Sequence, residues 1–194
     1  MSLKIVLTGG PGVGKTSIVD ELHQRGFDVR PEVFTEIFSE AVQRDDFEQL
    51  FLEPDLLLHE LTARQKARED EPSQSELLFL DRSMIDILGF AHMENLTMPP
   101  QDLTTALQAH YDIACVIEPM ARRYYVQNEI RKQDCNEALR HHAAVVANYK
   151  KCFEGNGTHP LQKLISIPAF HSNRAPMSIV ERTDYLLEQI GQRR

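Results

Sequence analysis

The sequence lacks both an excess of basic residues and a long apolar run. Its formal net charge is −8, so it does not have the basic face that broad binding to nucleic acid or to a membrane surface requires. No stretch approaches the roughly 18 apolar residues of a transmembrane helix, and the apolar run at 5–7 is too short for a signal peptide. We therefore expect a cytoplasmic protein with no nucleic-acid or membrane partner.

Cysteines are few as well. The three in the chain, Cys115, Cys135 and Cys152, cannot all pair and show no C-x-x-C spacing, so we expect reduced thiols. Internal repeats, low-complexity tracts and linkers are also missing. A length of 194 residues with 42% hydrophobic and 26% charged residues is typical of an ordinary globular protein, and we predict one domain over 1–194.

Short apolar runs alternate with helical patterns along the chain. Five runs have the length of a buried strand, and they lie at 4–8, 27–30, 77–81, 112–117 and 164–167. Between them, apolar residues recur at helical spacing over 34–42, from 54 towards 70, over 135–149 and after 178. Ser178 and Glu181 have the spacing of a capping box, which marks the start of the last helix. Strands that alternate with helices form parallel sheets with right-handed crossovers, so we predict an α/β fold.

A glycine-rich motif directly follows the first predicted strand. Residues 9–16, which we call the phosphate loop, are a complete G-x-x-x-x-G-K-[ST] followed by a predicted helix. Glycines let successive backbone N–H groups curl around a polyphosphate, and the helix N-terminus favours its negative charge. We predict that Lys15 reaches the β- and γ-phosphates of ATP and that the Thr16 hydroxyl binds Mg²⁺. The residues expected to hold the nucleotide are Gly9, Gly10, Pro11, Gly12, Val13, Gly14, Lys15, Thr16 and Ser17.

An acidic residue ends the predicted strand at 77–81. In this fold Asp81 has the place of a Walker B carboxylate, so we predict that it holds Mg²⁺ together with Thr16. Many ATP-hydrolysing motors carry a second acid after this aspartate, whereas Arg82 and Ser83 follow it here. An arginine at this place is suited to binding a substrate or the transferred phosphoryl oxygens. The pattern favours phosphoryl transfer over a motor ATPase.

Taken in order, these residues resemble the small P-loop kinases that are grouped with nucleoside and nucleotide kinases. More narrowly, the chain is similar to a family of predicted ATPases and kinases labelled AAA domain, which includes ribosylnicotinamide-kinase-like proteins. The similarity covers nearly the whole chain, with matching pieces at 9–16, 29–32, 80–83, 111–119, 129–131 and 181–182. It implies a three-layer P-loop NTPase fold with a five-stranded parallel sheet, a helical substrate-binding insertion over 35–75 and an arginine-rich lid over 120–134.

The resemblance also implies roles for individual residues. Glu32, just after the second strand, would face the acceptor hydroxyl and orient it. In the lid, Arg122 or Arg123 would stack on the adenine, and Arg131 would act with Arg82 to stabilise the charge of the transferred group. Arg64 and Gln65 in the helical insertion would either face the acceptor or serve the structure.

Three classes of function fit the sequence. The first is an ATP- and Mg²⁺-dependent phosphotransferase, monomer or homodimer, acting on a small nucleoside-like or nucleotide-like acceptor. The second is a regulatory GTP-binding module, for which 131–134 is an incomplete N/T-K-x-D match and 86–89 has D-x-x-G spacing inside a helical pattern. The third is an ATPase motor, which the missing second acid disfavours. We interpret His141 and His142, adjacent on a predicted helix, as core or surface residues instead of metal ligands.

Overall fold

A computed structural model of the chain describes residues 2–125, 134–154 and 161–192. The strands in these ranges are β1 (Leu3–Thr8), β2 (Asp28–Arg30), β3 (Leu77–Asp81), β4 (Ile113–Ile117) and β5 (Lys163–Ile167). The helices are α1 (Lys15–Gln24), α2 (Val33–Gln43), α3 (Pro54–Asp70), α4 (Met84–Met93), α5 (Pro100–Gln108), α6 (Cys135–Phe153) and α7 (Ile179–Gln189). None of these helices combines the length and apolar character needed to cross a membrane.

The five strands form one parallel sheet in the order β2-β3-β1-β4-β5. The central strand β1 pairs with β3 on one side and with β4 on the other, so that Leu7 lies opposite both Asp81 and Cys115. Because the strands are parallel, all their carboxyl ends meet at one edge of the sheet. The α/β prediction and all five predicted strands are confirmed.

Helices cover both faces of the sheet and make three layers. Alternate residues of β1 point to opposite faces, as the period of a strand requires. Ile5 and Leu7 pack in the core under α1 and α7, whereas Val6 packs in the core under the helices α2 to α6. All three are fully buried, and burial of such side chains is the main force that holds the layers together.

Capping boxes begin three of the helices. The predicted box of Ser178 and Glu181 is confirmed at the start of α7, and Asp134 caps α6 in the same way. Ser83 caps α4, where its Oγ accepts a hydrogen bond from the Ile85 N–H at 3.1 Å. The helix α5 was not predicted, because only two of its residues are buried and they form no apolar stripe.

Candidate active site

The phosphate loop joins β1 to α1 at the carboxyl edge of the sheet. Its glycines Gly9, Gly12 and Gly14 have φ values of 138°, 74° and 93°, a region that side chains with a Cβ rarely adopt. Gly14 is the N-cap of α1, and within the described part of the chain no side chain bonds to this cap. The first-turn N–H groups of α1 are therefore available to an anion, where the helix dipole also favours one.

Lys15 is held against the loop that contains it. Its side chain is buried, and Nζ donates hydrogen bonds to the carbonyl oxygens of Gly9 and Gly10, each at 3.2 Å. Burial and the positive charge of Arg82 lower the pKa of Lys15 to about 8. The ammonium group is therefore still mostly protonated at neutral pH, and it lies where a bound phosphate would need a cation.

Arg82 and Glu32 form an ion pair beside the loop. Arg82 Nε donates to Glu32 Oε2 at 2.6 Å, and Arg82 Nη1 donates to the carbonyl oxygen of Gly9 at 3.3 Å. Burial raises the pKa of Glu32, but the attraction of Arg82 and Lys15 outweighs it and lowers the pKa to about 2. Arg82 itself adopts a φ of 70°, which is uncommon for a residue with a side chain and is often found at functional sites.

Asp81 ends β3 next to the loop and carries an unsatisfied oxygen. Its Oδ1 is buried and has no hydrogen-bond partner among the described residues. Burial and the nearby charge of Glu32 raise the pKa of Asp81 to about 7. An unpaired buried carboxylate oxygen is unfavourable by itself, and a cation bound there would satisfy it.

The residues present fit a Mg²⁺ ion that arrives with a nucleotide. Asp81 and the exposed Thr16 could supply oxygen ligands, the kind that Mg²⁺ prefers. Within the described ranges no three His, Cys, Asp or Glu side chains cluster into a metal site of their own. Mg²⁺ commonly takes one or two protein oxygens and completes its shell with phosphates and water.

A cavity of about 440 Å³ opens between the phosphate loop and an aromatic wall. Rings of α2 and α4 pack edge to face in this wall, with centroids of Phe34 and Phe90 5.4 Å apart. The guanidinium carbon of Arg82 lies 5.5 Å from the centre of the Phe34 ring. The polar side of the cavity therefore contacts its aromatic wall at this point. An organic molecule of moderate size fits between the phosphate loop and the rings. The apolar wall consists of Phe34, Phe38, Phe90, Met93 and Val145.

Most of the predicted site residues that the structure describes meet at this cavity. They are Gly10, Pro11, Gly12, Gly14, Lys15, Thr16, Ser17, Glu32 and Arg82. Gly9 and Val13 belong to the loop but do not line the cavity, and Asp81 is buried and does not line it either.

The two predicted lid arginines that the structure describes, Arg122 and Arg123, do not line the cavity. Arg122 and Arg123 are exposed on a short 3₁₀ helix, and the guanidinium of Arg123 lies over the ring of Tyr124, 5.0 Å from its centroid. Tyr124 itself does line the cavity. Arg131 lies outside the described residues.

Arg64 and Gln65 have structural surroundings. Arg64 forms ion pairs with three carboxylates of α2 and α3, those of Glu36, Glu40 and Glu60. Gln65 is buried and donates to Glu69 at 2.8 Å. Neither side chain lines the cavity, so the structural alternative holds for both.

Arg182 is bonded to the phosphate loop, and we predicted no role for it from the sequence. It is fully buried on α7, where Nη1 donates to the Val13 carbonyl at 2.9 Å and Nη2 to the Glu118 carbonyl at 2.7 Å. Burial lowers its pKa to about 10. An arginine among the apolar residues of an amphipathic helix was the available signal, because a buried guanidinium needs specific acceptors.

Asp86 and the two histidines also belong to the site. Asp86 is buried, accepts a hydrogen bond from Thr8 Oγ1 at 2.7 Å and pairs with Arg82 Nη1 at 3.2 Å. The Nδ1 atom of His142 accepts a hydrogen bond from the Gly10 N–H at 3.2 Å, and His141 lines the cavity. Both side chains are half-buried, and the sequence did not predict that either would contact the site. The helix α6 brings His142 to the phosphate loop and His141 to the cavity.

Together, the parallel sheet, the phosphate loop at its carboxyl edge and the adjoining cavity define a P-loop fold. A family model described as AAA domain matches residues 4–156. The chain therefore belongs to this AAA domain family.

Solved structures share the fold of this chain. The chain is similar to NadR protein in complex with NAD and AMP-PNP, with a TM-score of 0.63 and 16% identity, and to NadR in complex with NR, with a TM-score of 0.60 and 16% identity. Coverage of this chain is 100% and 96%, but the chain spans only about half the length of NadR, 51% in each case.

A deoxyadenosine kinase from M. mycoides with dCMP and dCDP bound is similar over its full length. Its TM-score is 0.53 at 15% identity, covering 98% of this chain and 100% of that one. No curated protein sequence matches the chain significantly.

Proposed function

We propose that the protein is a kinase that transfers the γ-phosphoryl group of ATP, in the presence of Mg²⁺, to a small nucleoside-like or nucleotide-like acceptor. The observation that carries the proposal is that the phosphate loop and the Glu32–Arg82 pair line the same cavity. A donor on the loop and an acceptor against the aromatic wall would then meet at this pair.

The donor side consists of the loop amides and Lys15. The amides and the ammonium group would bind the phosphates, with Asp81 and Thr16 holding the metal. Bound Mg²⁺ would neutralise charge on the phosphate oxygens as the terminal phosphoryl group leaves. Its positive charge would also favour the ionised form of Asp81, whose pKa lies near 7 without it.

On the acceptor side, Glu32 would orient the attacking hydroxyl. With a pKa of about 2 the carboxylate is ionised at neutral pH, so it can accept a hydrogen bond but is a weak base. Weak basicity is adequate here, because the transition state of phosphoryl transfer is loose and depends more on positioning than on proton removal. Arg82 would hold Glu32 in place and stabilise charge on the transferred group.

Segments that close over the reactants are part of the same proposal. We place the acceptor-side helices in 35–75 and the lid in 120–134, within one domain. Lid closure would exclude water, which otherwise competes with the acceptor for the phosphoryl group. Arg122, Arg123 and Arg131 are the lid cations that we propose for contact with the nucleotide.

Bound molecules in the similar structures support this choice of donor and acceptor. NadR holds AMP-PNP in one structure and NR in another, and the deoxyadenosine kinase holds dCMP in one and dATP in another. Since these proteins share only the fold with this chain, the nature of its own acceptor has to be measured.

A coupled assay of ADP release would test the proposal. The full chain would be supplied with ATP and Mg²⁺ and then with nucleosides, deoxynucleosides, nicotinamide riboside or nucleoside monophosphates. We expect ADP release to depend on one class of acceptor and to be lost in the Lys15→Ala variant, while circular dichroism shows the variant folded. A steady release that no acceptor changes would favour an ATPase, and tighter binding of GTP than of ATP would favour a regulatory module.

A further inference from the structure

The helix α6 touches the phosphate loop at Gly10. The Gly10 N–H donates to His142 Nδ1 at 3.2 Å. A Cβ placed on Gly10 would lie 2.7 Å from the Ala138 carbonyl oxygen and 2.8 Å from the Cβ of His142. These separations are shorter than real contacts of a Cβ, so any side chain at position 10 would push the helix away.

This demand for glycine does not come from the motif or from the backbone. Position 10 is one of the x positions of G-x-x-x-x-G-K-[ST], where the motif accepts any residue. Gly10 also lies outside the positive-φ region that Gly9, Gly12 and Gly14 occupy. Contact with α6 is therefore the physical reason for glycine at this position.

The same peptide segment is bonded to the functional cations. The carbonyl oxygen of Gly10 accepts from Lys15 Nζ, and that of Gly9 accepts from both Lys15 Nζ and Arg82 Nη1. Gly10 thus lies between His142 on its amide side and Lys15 on its carbonyl side. A shift of His142 would move the peptide to which the ammonium group of Lys15 is bonded.

The helix that carries His142 is also bonded to the site at a second point. It begins at Cys135 with the cap residue Asp134, the last residue of the proposed lid. Two turns beyond His142, the hydroxyl of Tyr149 donates to the buried carboxylate of Asp86. The position of α6 therefore reaches Gly10 through one hydrogen bond and one close contact.

We propose that His142 is a positioning residue that holds the phosphate loop in its nucleotide-binding form and couples that form to α6. The hydrogen bond requires Nδ1 to carry no proton. Burial and the charge of Lys15 lower the pKa of His142, while Glu118 opposes them, so the balance favours the neutral ring. The proposal rests on the proposed function only in that the loop binds a nucleotide, and it does not depend on which acceptor is used.

Binding of AMP-PNP with Mg²⁺ would test the role of His142 by calorimetry. His142→Leu keeps bulk but removes the acceptor, whereas His142→Asn retains an acceptor near the position of Nδ1. We expect His142→Leu to weaken binding about tenfold, the value of one hydrogen bond, and His142→Asn to stay within about threefold of the natural protein. His23→Ala, an exposed histidine on α1, is the control. Equal affinity of the natural protein and a folded His142→Leu would overturn the proposal.

A measurement on the natural protein avoids dependence on a variant that folds poorly. In a sample labelled with ¹⁵N-glycine, we expect the Gly10 amide to be protected from exchange at neutral pH and to lose protection as acid protonates His142. The charged groups that act on the ring are Lys15, which lowers the pKa of His142, and Glu118, which opposes this effect. A Gly10 amide that stays protected while His142 titrates would contradict the hydrogen bond.

The close contact gives a second test. Gly10→Ala should weaken AMP-PNP binding as His142→Leu does, because both separate the loop from α6. The double variant should bind AMP-PNP about as weakly as the weaker-binding single variant, because both changes disrupt the same contact between the loop and α6. Additive losses would show two independent effects and overturn the coupling. If ADP release proves independent of every acceptor, the proposed kinase activity fails, but these binding and exchange results still decide the role of His142.

Discussion

The guanidinium group of Arg82 lies 2.6 Å from the carboxylate of Glu32, at the carboxyl ends of the neighbouring strands β3 and β2. Arg82 also bonds to the Gly9 carbonyl, so this pair connects the acceptor side of the cavity with the phosphate loop. Removing Glu32 would leave Arg82 with only Asp86 as an ion-pair partner among the described residues, and removing Arg82 would leave the carboxylate of Glu32 without its ion pair, which is costly. The pair is therefore the point at which a change should affect transfer more than binding.

Glu32→Gln should impair transfer far more than nucleotide binding. The amide cannot orient the hydroxyl as an anion does, so we expect kcat to fall by about 10²-fold or more while the Kd for AMP-PNP changes little. Steady-state kinetics and calorimetry would measure the two quantities. Glu40→Gln, which changes a carboxylate on the same helix that pairs with Arg64, is the matched control. Parallel losses of kcat and affinity would instead give Glu32 a binding role.

Asp81→Asn should stabilise the free protein at neutral and higher pH while weakening Mg²⁺-dependent binding. The pKa of Asp81 is raised to about 7 from an ordinary value near 3.8, so the folded state holds more protons than the unfolded state between these values. The contribution of Asp81 to stability is therefore greatest below about pH 4 and is lost as pH rises towards 7 and above. We expect the Tm of the variant to exceed that of the natural protein by several degrees at pH 8, with a smaller gap at pH 5.

Thermal unfolding at both pH values, without and with AMP-PNP and Mg²⁺, would check this prediction. The ligand should raise the Tm of the natural protein more than that of the variant. A Tm difference that is the same at pH 5 and pH 8 would contradict the raised pKa.

Arg182→Leu should destabilise the fold and disturb the phosphate loop. The change leaves the buried carbonyl of Val13 and the part-buried carbonyl of Glu118 without their donors, at a cost of about 1–3 kcal/mol for the buried one. Urea unfolding would measure the loss, and Arg182→Lys should recover part of it by keeping a donor. Arg44→Leu, an exposed arginine with one ion pair, should change the free energy of unfolding by less than about 1 kcal/mol. If Arg182→Leu and Arg44→Leu lower the free energy of unfolding equally, Arg182 does not support the phosphate loop.

Phe38→Ala should weaken binding of the acceptor and leave binding of the nucleotide unchanged. Phe38 packs against four other rings of the aromatic cluster and lines the cavity opposite the phosphate loop. We expect the KM of whichever acceptor supports ADP release to rise about tenfold or more, because a large apolar contact is lost. The Kd for AMP-PNP should stay within about twofold. A variant that loses affinity for the nucleotide instead would place this wall on the donor side.

Local patterns accounted for much of the fold and for one side of the site. The phosphate loop is a motif of eight consecutive residues, and each strand corresponds to one apolar run. Both can therefore be predicted without information on contacts between distant residues. Asp81 and Arg82 were also predictable, because this fold places the end of a neighbouring strand beside the phosphate loop. The short helix α5 was not, since most of its surface faces solvent.

What the sequence determined by itself is the class of fold, the phosphate loop and the residue types next to it, because these depend on short-range geometry and periodicity. Only the tertiary structure decided which distant residues hold that loop. His142 contacts Gly10 across 132 positions and Arg182 contacts Val13 across 169. Such contacts depend on how the helices pack against the edge of the sheet. The spacing of residues within one helix or strand does not predict that packing.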